Sequence, residues 1–145
     1  MVRRLENVGR YAQYGQAALR IMTGLVFMQH GMQKLFLFPP SPHHPNAIPL
    51  LSLFGIGGLI EFFGGLLFVI GLWTRPVAFL LSGQMAVAYF MFHFAAGLHM
   101  ANGFFPVVNE GDLAVVLCFV FLYFFFAGAG AWSVDSLMAR RYRPS

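Results

Sequence analysis

Charge is what this sequence has least of. Nine Lys and Arg and five Asp and Glu make up only 10% of its 145 residues, where a soluble domain carries about 25%. Hydrophobic residues reach 59%, 18 of them Phe, and mean hydropathy is +0.70. Such a chain has too little polar surface to cover itself in water, which excludes a water-soluble enzyme domain. High hydrophobicity with low charge also excludes a disordered chain. Cysteine is nearly absent: Cys118 alone excludes an internal disulfide framework and any multi-cysteine zinc or iron–sulfur site. The basic residues are scattered, so the net charge of +4 builds no nucleic-acid face and no nucleic-acid partner is expected.

What is present is apolar sequence in four runs, 17–36, 50–73, 77–96 and 113–134, each near the ~20 residues that a helix needs to cross ~30 Å of hydrocarbon. Prolines 39, 40, 42 and 45 break the first junction, Thr74-Arg75-Pro76 makes a tight second one, and Gly97, Asn102, Gly103, Pro106 and Gly111 mark the third. Pro76 suits the first turn of a helix and Asp112 suits an N-cap. The first run is too long for the apolar core of a signal peptide, contains Arg20 and Lys34, and reads as a permanent helix. Arg3, Arg4, Arg10, Arg75, Arg140, Arg141 and Arg143 all fall on one side of a four-span arrangement. The positive-inside rule then puts both termini in the cytoplasm. The expectation is all-α: one transmembrane domain over residues 1–145, an integral four-helix bundle, multi-pass, N-in and C-in. The aromatic run 119–126 reads as lipid-facing and bundle-packing side chains rather than as a cofactor box.

Three charges lie inside these spans, Arg20, Lys34 and Glu61. Each costs at least ~2.5–3.5 kcal/mol at the bilayer centre, so each needs a reason to be there. At ~100° per residue, Arg20, Thr23, His30 and Lys34 project within an arc of about 80° on the first helix, with Arg20 able to snorkel to headgroups. On the second helix, Glu61 projects with Gly57, Gly58, Gly64 and Gly65, the face on which backbones approach most closely. Gln84 and His93 add polar groups to the third helix about 180° apart, so at most one faces a shared surface unless that helix bends. Glu61 pairs with Arg20 or Lys34 to lock the bundle, or it marks a functional site. His43 and His44, flanked by prolines, are a weak two-residue metal signal, and no metal site is expected.

Several motifs resemble the DoxX family of small membrane proteins. On the first helix these are Arg20, Gly24-Leu25-Val26-Phe27, His30-Gly31 and Lys34-Leu35. Then come the run from Gly58 to Leu67, Gly71-Leu72-Trp73-Thr74-Arg75, and Met85 to Phe90 with His93. Gly103 to Val107 before Glu110 and the ending Gly130 to Asp135 complete the likeness, which covers about residues 15 to 138. The resemblance implies a four-helix protein of the bacterial cytoplasmic membrane. It also implies an oxidoreductase or quinone-linked subunit in sulfur-compound oxidation or oxidative-stress complexes. The family's polar positions fall on Arg20, His30, Lys34, Glu61 and His93.

The leading functional expectation is a redox-complex subunit binding a quinone head group. Glu61 exchanges protons, His30 hydrogen-bonds a quinone oxygen, Arg20 or Lys34 stabilises reduced forms, and Gln84 and His93 contribute further binding groups. No flavin fingerprint or cysteine set supplies an electron carrier, so a soluble redox partner protein is implied. A haem between His30 and His93 is the weaker cofactor arrangement. The non-enzymatic alternative is a scaffold, or a protein binding or passing a small solute or lipid, in which homo-oligomers are needed for transport.

Overall fold

The computed structural model describes residues 7–40, 46 and 48–141, and among them every regular element is helical. A 3₁₀ turn, Asn7–Tyr11, leads into α1 (Ala12–Phe36). Next come α2 (Leu53–Ile70), α3 (Thr74–Gly97), α4 (Asp112–Ala127) and a short α5 (Val134–Arg141). Arg3, Arg4, Arg143, His43 and His44 lie outside the described residues. Among the described residues two helices are, by length and composition, long and apolar enough to cross a membrane, α2 with mean hydropathy 2.1 and α3 with 1.5. The 16-residue α4 is apolar but shorter. The 25-residue α1 has the length, but Arg20, His30 and Lys34 dilute its apolar character.

The helix ends depart from the expected spans for local reasons. The helix α1 begins at Ala12 rather than residue 17: a 3₁₀ turn leads into it, and Ala12–Gln16 holds no proline, its one weak helix former being Gly15. Ser52 caps α2 by accepting the Gly55 N–H at 3.0 Å, and Gly71 ends it at φ +68°. The helix α3 starts at Thr74, which keeps Pro76 in its first turn. Asp112 is the first residue of α4 rather than its cap, where its charge favours the helix N-terminus. The largest correction concerns the fourth run, in which helix stops at Ala127 and residues 128–133 turn irregularly through positive φ at Gly128, Gly130 and Trp132.

The contacts divide the chain into two compact units, the described parts of Met1–Thr74 with Ala127–Ser145, and Arg75–Phe126. In the first unit, α1 buries Ala17, Arg20, Thr23, Gly24, Phe27 and Gly31, a stripe at three- and four-residue spacing. That stripe meets α2 through small residues. A β-carbon on Gly31 would lie 2.5 Å from the Phe62 nitrogen and 2.7 Å from the Gly58 oxygen. One on Gly24 would lie 3.1 Å from the Gly65 oxygen, and one on Gly65 3.1 Å from the Gly24 oxygen. The backbones of α1 and α2 therefore touch, as close helix packing in membranes requires.

In the second unit α4 buries Ala114, Leu117, Phe121 and Phe124 on one face and exposes Phe119, Tyr123 and Phe126. The Ser82 hydroxyl donates to the Cys118 carbonyl at 2.9 Å, and Arg75 caps the end of α4 by donating to the Phe125 and Phe126 carbonyls at 2.9 and 2.7 Å.

Replacing Gly31 with Leu should separate α1 from α2, because the atoms its side chain meets are main chain and cannot swing away. Overpacking of this kind costs about 1–3 kcal/mol or more. The expected result is a clearly lower thermal midpoint for the detergent-solubilised protein, whereas Gly15→Ala, with nothing within 4 Å, leaves it unchanged or raises it.

Candidate functional site

The glycine contact brings one carboxylate of α2 against one ammonium of α1. Lys34 Nζ lies 2.5 Å from Glu61 Oε1, with side-chain exposures of 17% and 5%. Of the two partners open to Glu61 in the sequence, the structure selects Lys34. The reason is the register: Gly58 sits against Lys34 Cβ and Leu35, one turn before Glu61. Each charge alone is expensive in an apolar surrounding, and the pair offsets both. His30, one turn before Lys34 on α1, is half-buried, and Gln29 beside it is exposed.

Glu61 also occupies an unusual stretch of backbone. Residues Ile60–Gly64 form a π turn within α2, and Tyr89–Phe94, which contains His93, forms a second within α3. Such turns are rare, insert one residue into the helical register and concentrate at functional positions. Two of the ionisable or imidazole groups carried by these helices thus sit where the backbone departs from ideal geometry. The second π turn also changes the phase between Gln84 and His93, so the 180° separation counted for an ideal helix does not hold across it.

Arg20 is not brought to this pair. It lies 14 residues before Lys34, roughly 21 Å along the same helix, and is fully buried. Its guanidinium donates to main-chain oxygens: Nη1 to Ala129 and, at 3.3 Å, to Ala131, and Nη2 to Trp132 at 2.7 Å and Val69 at 3.4 Å. The snorkelling expected of Arg20 does not occur. The irregular turn 128–133 instead points its carbonyls inward, and the planar fork of donors satisfies them. Gly71 completes the cradle, since a β-carbon there would lie 2.9 Å from the guanidinium carbon and 2.5 Å from Ser133 Cβ. Asp135 closes the same end by accepting the Trp73 and Thr74 N–H groups at 2.8 Å each, capping the start of α3.

The α3 candidates have their own surroundings. His93 Nδ1 lies 3.1 Å from the Asn109 carbonyl oxygen, and the Asn109 side chain donates to Gly103 O at 2.9 Å and accepts from Gly111 N–H at 3.0 Å. Asn109, 5% exposed, holds the 98–111 loop together and was not singled out in the sequence. An isolated Asn between glycines is its only signal. Gln84 is half-buried one turn after Leu81. Among the described residues, no group of three or more His, Cys, Asp or Glu is placed to hold a metal ion.

Among the described residues α2 and α3 are long and apolar enough to span a bilayer, and α2 packs through glycine against α1 across a buried charge pair, features in keeping with a helical membrane protein. The sequence profile of the DoxX family matches residues 15–94, and the chain belongs to that family. It is 40% identical over 132 residues to an uncharacterized protein of Haemophilus influenzae, covering 91% of this chain and 96% of that one. No solved structure matches it.

Removing one member of a buried ion pair costs about 3–5 kcal/mol, because the remaining charge loses its counter-ion, whereas replacing both by apolar groups is near neutral. Lys34→Met or Glu61→Gln alone should lower the thermal midpoint, and Lys34→Met/Glu61→Leu should recover most of the loss. Arg20→Lys should destabilise nearly as much as Arg20→Met, because an ammonium cannot reach the same set of carbonyls. Urea or thermal unfolding in detergent reads both comparisons.

Proposed function

We propose that the chain is a subunit of a quinone-linked oxidoreductase in the bacterial cytoplasmic membrane, a multi-pass four-helix bundle with both termini cytoplasmic. The observation that carries this reading is the Lys34–Glu61 pair, a buried carboxylate held 2.5 Å from an ammonium on apolar helices, with half-buried His30 one turn away. In this reading the quinone takes two electrons from a soluble redox partner and two protons, leaving as quinol. Glu61 takes up a proton from water and passes it to one reduced oxygen, the second proton comes directly from water, His30 hydrogen-bonds the reduced oxygen, and Lys34 holds negative charge as it develops. Arg20, its donors engaged by main-chain carbonyls, supports the fold beneath the site instead of touching quinone. Gln84 and His93 on α3 are the further quinone-binding candidates, and a raised KM for quinone in Gln84→Ala or His93→Ala is the expected sign of that role.

The mutual neutralisation of Lys34 and Glu61 favours a second reading, a non-enzymatic scaffold or a binding protein for a small solute or lipid, in which the pair only locks α1 to α2. Quinone reduction by the reconstituted protein with candidate partners separates the two. The redox reading expects Lys34→Met/Glu61→Leu to fold like wild type yet lose about 10²-fold or more in rate, the scale of a missing acid–base group. Equal rates in the stable double variant would overturn it in favour of the lock.

A further inference from the structure

The C-terminal helix α5 is attached to the molecule the wrong way round for water. Its eight residues span only about 12 Å, far too short to cross a bilayer. Its polar side faces the protein: Asp135 holds the Trp73 and Thr74 N–H groups, the Asp135 N–H donates to Gly71 O at 2.9 Å, and Ser133 caps the Ser136 N–H at 3.1 Å. At ~100° per residue, Val134, Leu137, Met138 and Arg141 then share the opposite side. Leu137 is 60% and Met138 41% exposed, and both Arg140 and Arg141 are exposed in the last turn.

The same unit presents aromatic rings. The chain has two tryptophans, Trp73 and Trp132, and they are 61% and 66% exposed. Both adopt φ +50°, a left-handed backbone that non-glycine residues seldom take. Tyr14 packs on Trp132 with ring centroids 5.2 Å apart. Exposed indoles, an outward apolar strip and arginines beside it are the composition of a surface lying in the bilayer interface, with rings at headgroup depth and cations on lipid phosphates.

We propose that α5, with Trp73 and Trp132, forms an anionic-phospholipid binding surface, lying in the plane of the membrane with Leu137 and Met138 in the acyl boundary and Arg140 and Arg141 on headgroup phosphates. The occupant follows from charge: Arg141 projects with the apolar strip and Arg140 about 100° round the helix from it, both are exposed in the last turn, and Asp135, the acidic residue of this helix, is turned away into the cap of α3. A face of this kind recruits phosphatidylglycerol-type lipids around the chain.

Because both exposed tryptophans lie beside the start of α5, Trp73 bonded through its N–H to Asp135 and Trp132 two residues before Val134, the intact protein carries its own probe. Reconstituted into phosphatidylcholine vesicles containing phosphatidylglycerol, with either lipid brominated in turn, its indole emission should be quenched severalfold more by the anionic lipid at equal mole fraction and low salt. Each arginine near an anionic surface contributes about fivefold enrichment. The excess should vanish at high salt and in Arg140→Gln/Arg141→Gln, while Leu137→Gln/Met138→Gln should reduce quenching by both lipids. Equal quenching by the two lipids in the wild type at low salt would overturn the proposal. So would emission quenched by aqueous iodide and by neither lipid, which would place the face in water, open to a protein partner. The wild-type comparison needs no variant to fold.

Discussion

Close approach of α1 and α2 is the constraint on which the rest of the first unit depends. An ammonium and a carboxylate in an apolar surrounding must meet directly or not be there, and they can meet only if their helices lie nearly backbone to backbone. Gly24, Gly31, Gly58 and Gly65 provide that spacing. A side chain at Gly31 would push against main-chain atoms of α2, and the distance that lets Lys34 reach Glu61 would be lost. Packing and electrostatics are thus one design in this pair of helices, because the glycines set the separation that makes the charges tolerable.

The other end of the unit obeys the same rule with different parts. Where the apolar helix α4 stops at Ala127, the following turn leaves carbonyls that helix geometry no longer satisfies. Arg20 reaches three of them and Val69 besides, Gly71 leaves room for its guanidinium, and Asp135 supplies acceptors to the N–H groups at the start of α3. Two charged side chains are used as main-chain caps. Their placement sets the direction in which α5 leaves the body and hence which of its sides faces outward.

Much of the candidate site was legible in the residues themselves. Scarcity singled out Arg20, Lys34 and Glu61, and a 100° projection put Glu61 on the glycine face of its helix, the face that meets α1. That a cation of α1 would answer it was open between two choices, since a helical wheel gives direction but no axial register between helices. Arg20 could not be understood from sequence, because its partners are main-chain oxygens, which no side-chain pattern announces. The π turns at Ile60–Gly64 and Tyr89–Phe94 were likewise invisible. A one-residue insertion in a helix depends on packing, and an apolar, aromatic-rich stretch is compatible with either turn.

Composition and periodicity by themselves determined that this chain is helical, belongs in a membrane and carries its few charges as exceptions. Those follow from the energetics of burying polar groups in hydrocarbon, a local property summed over residues. Only the tertiary structure decided that Lys34 rather than Arg20 faces Glu61, that the fourth apolar run ends early to feed carbonyls to Arg20, and that α5 turns its apolar side outward. Each of these depends on the relative register of segments distant in the chain, which is set by where backbones can touch and by which main-chain groups remain to be satisfied.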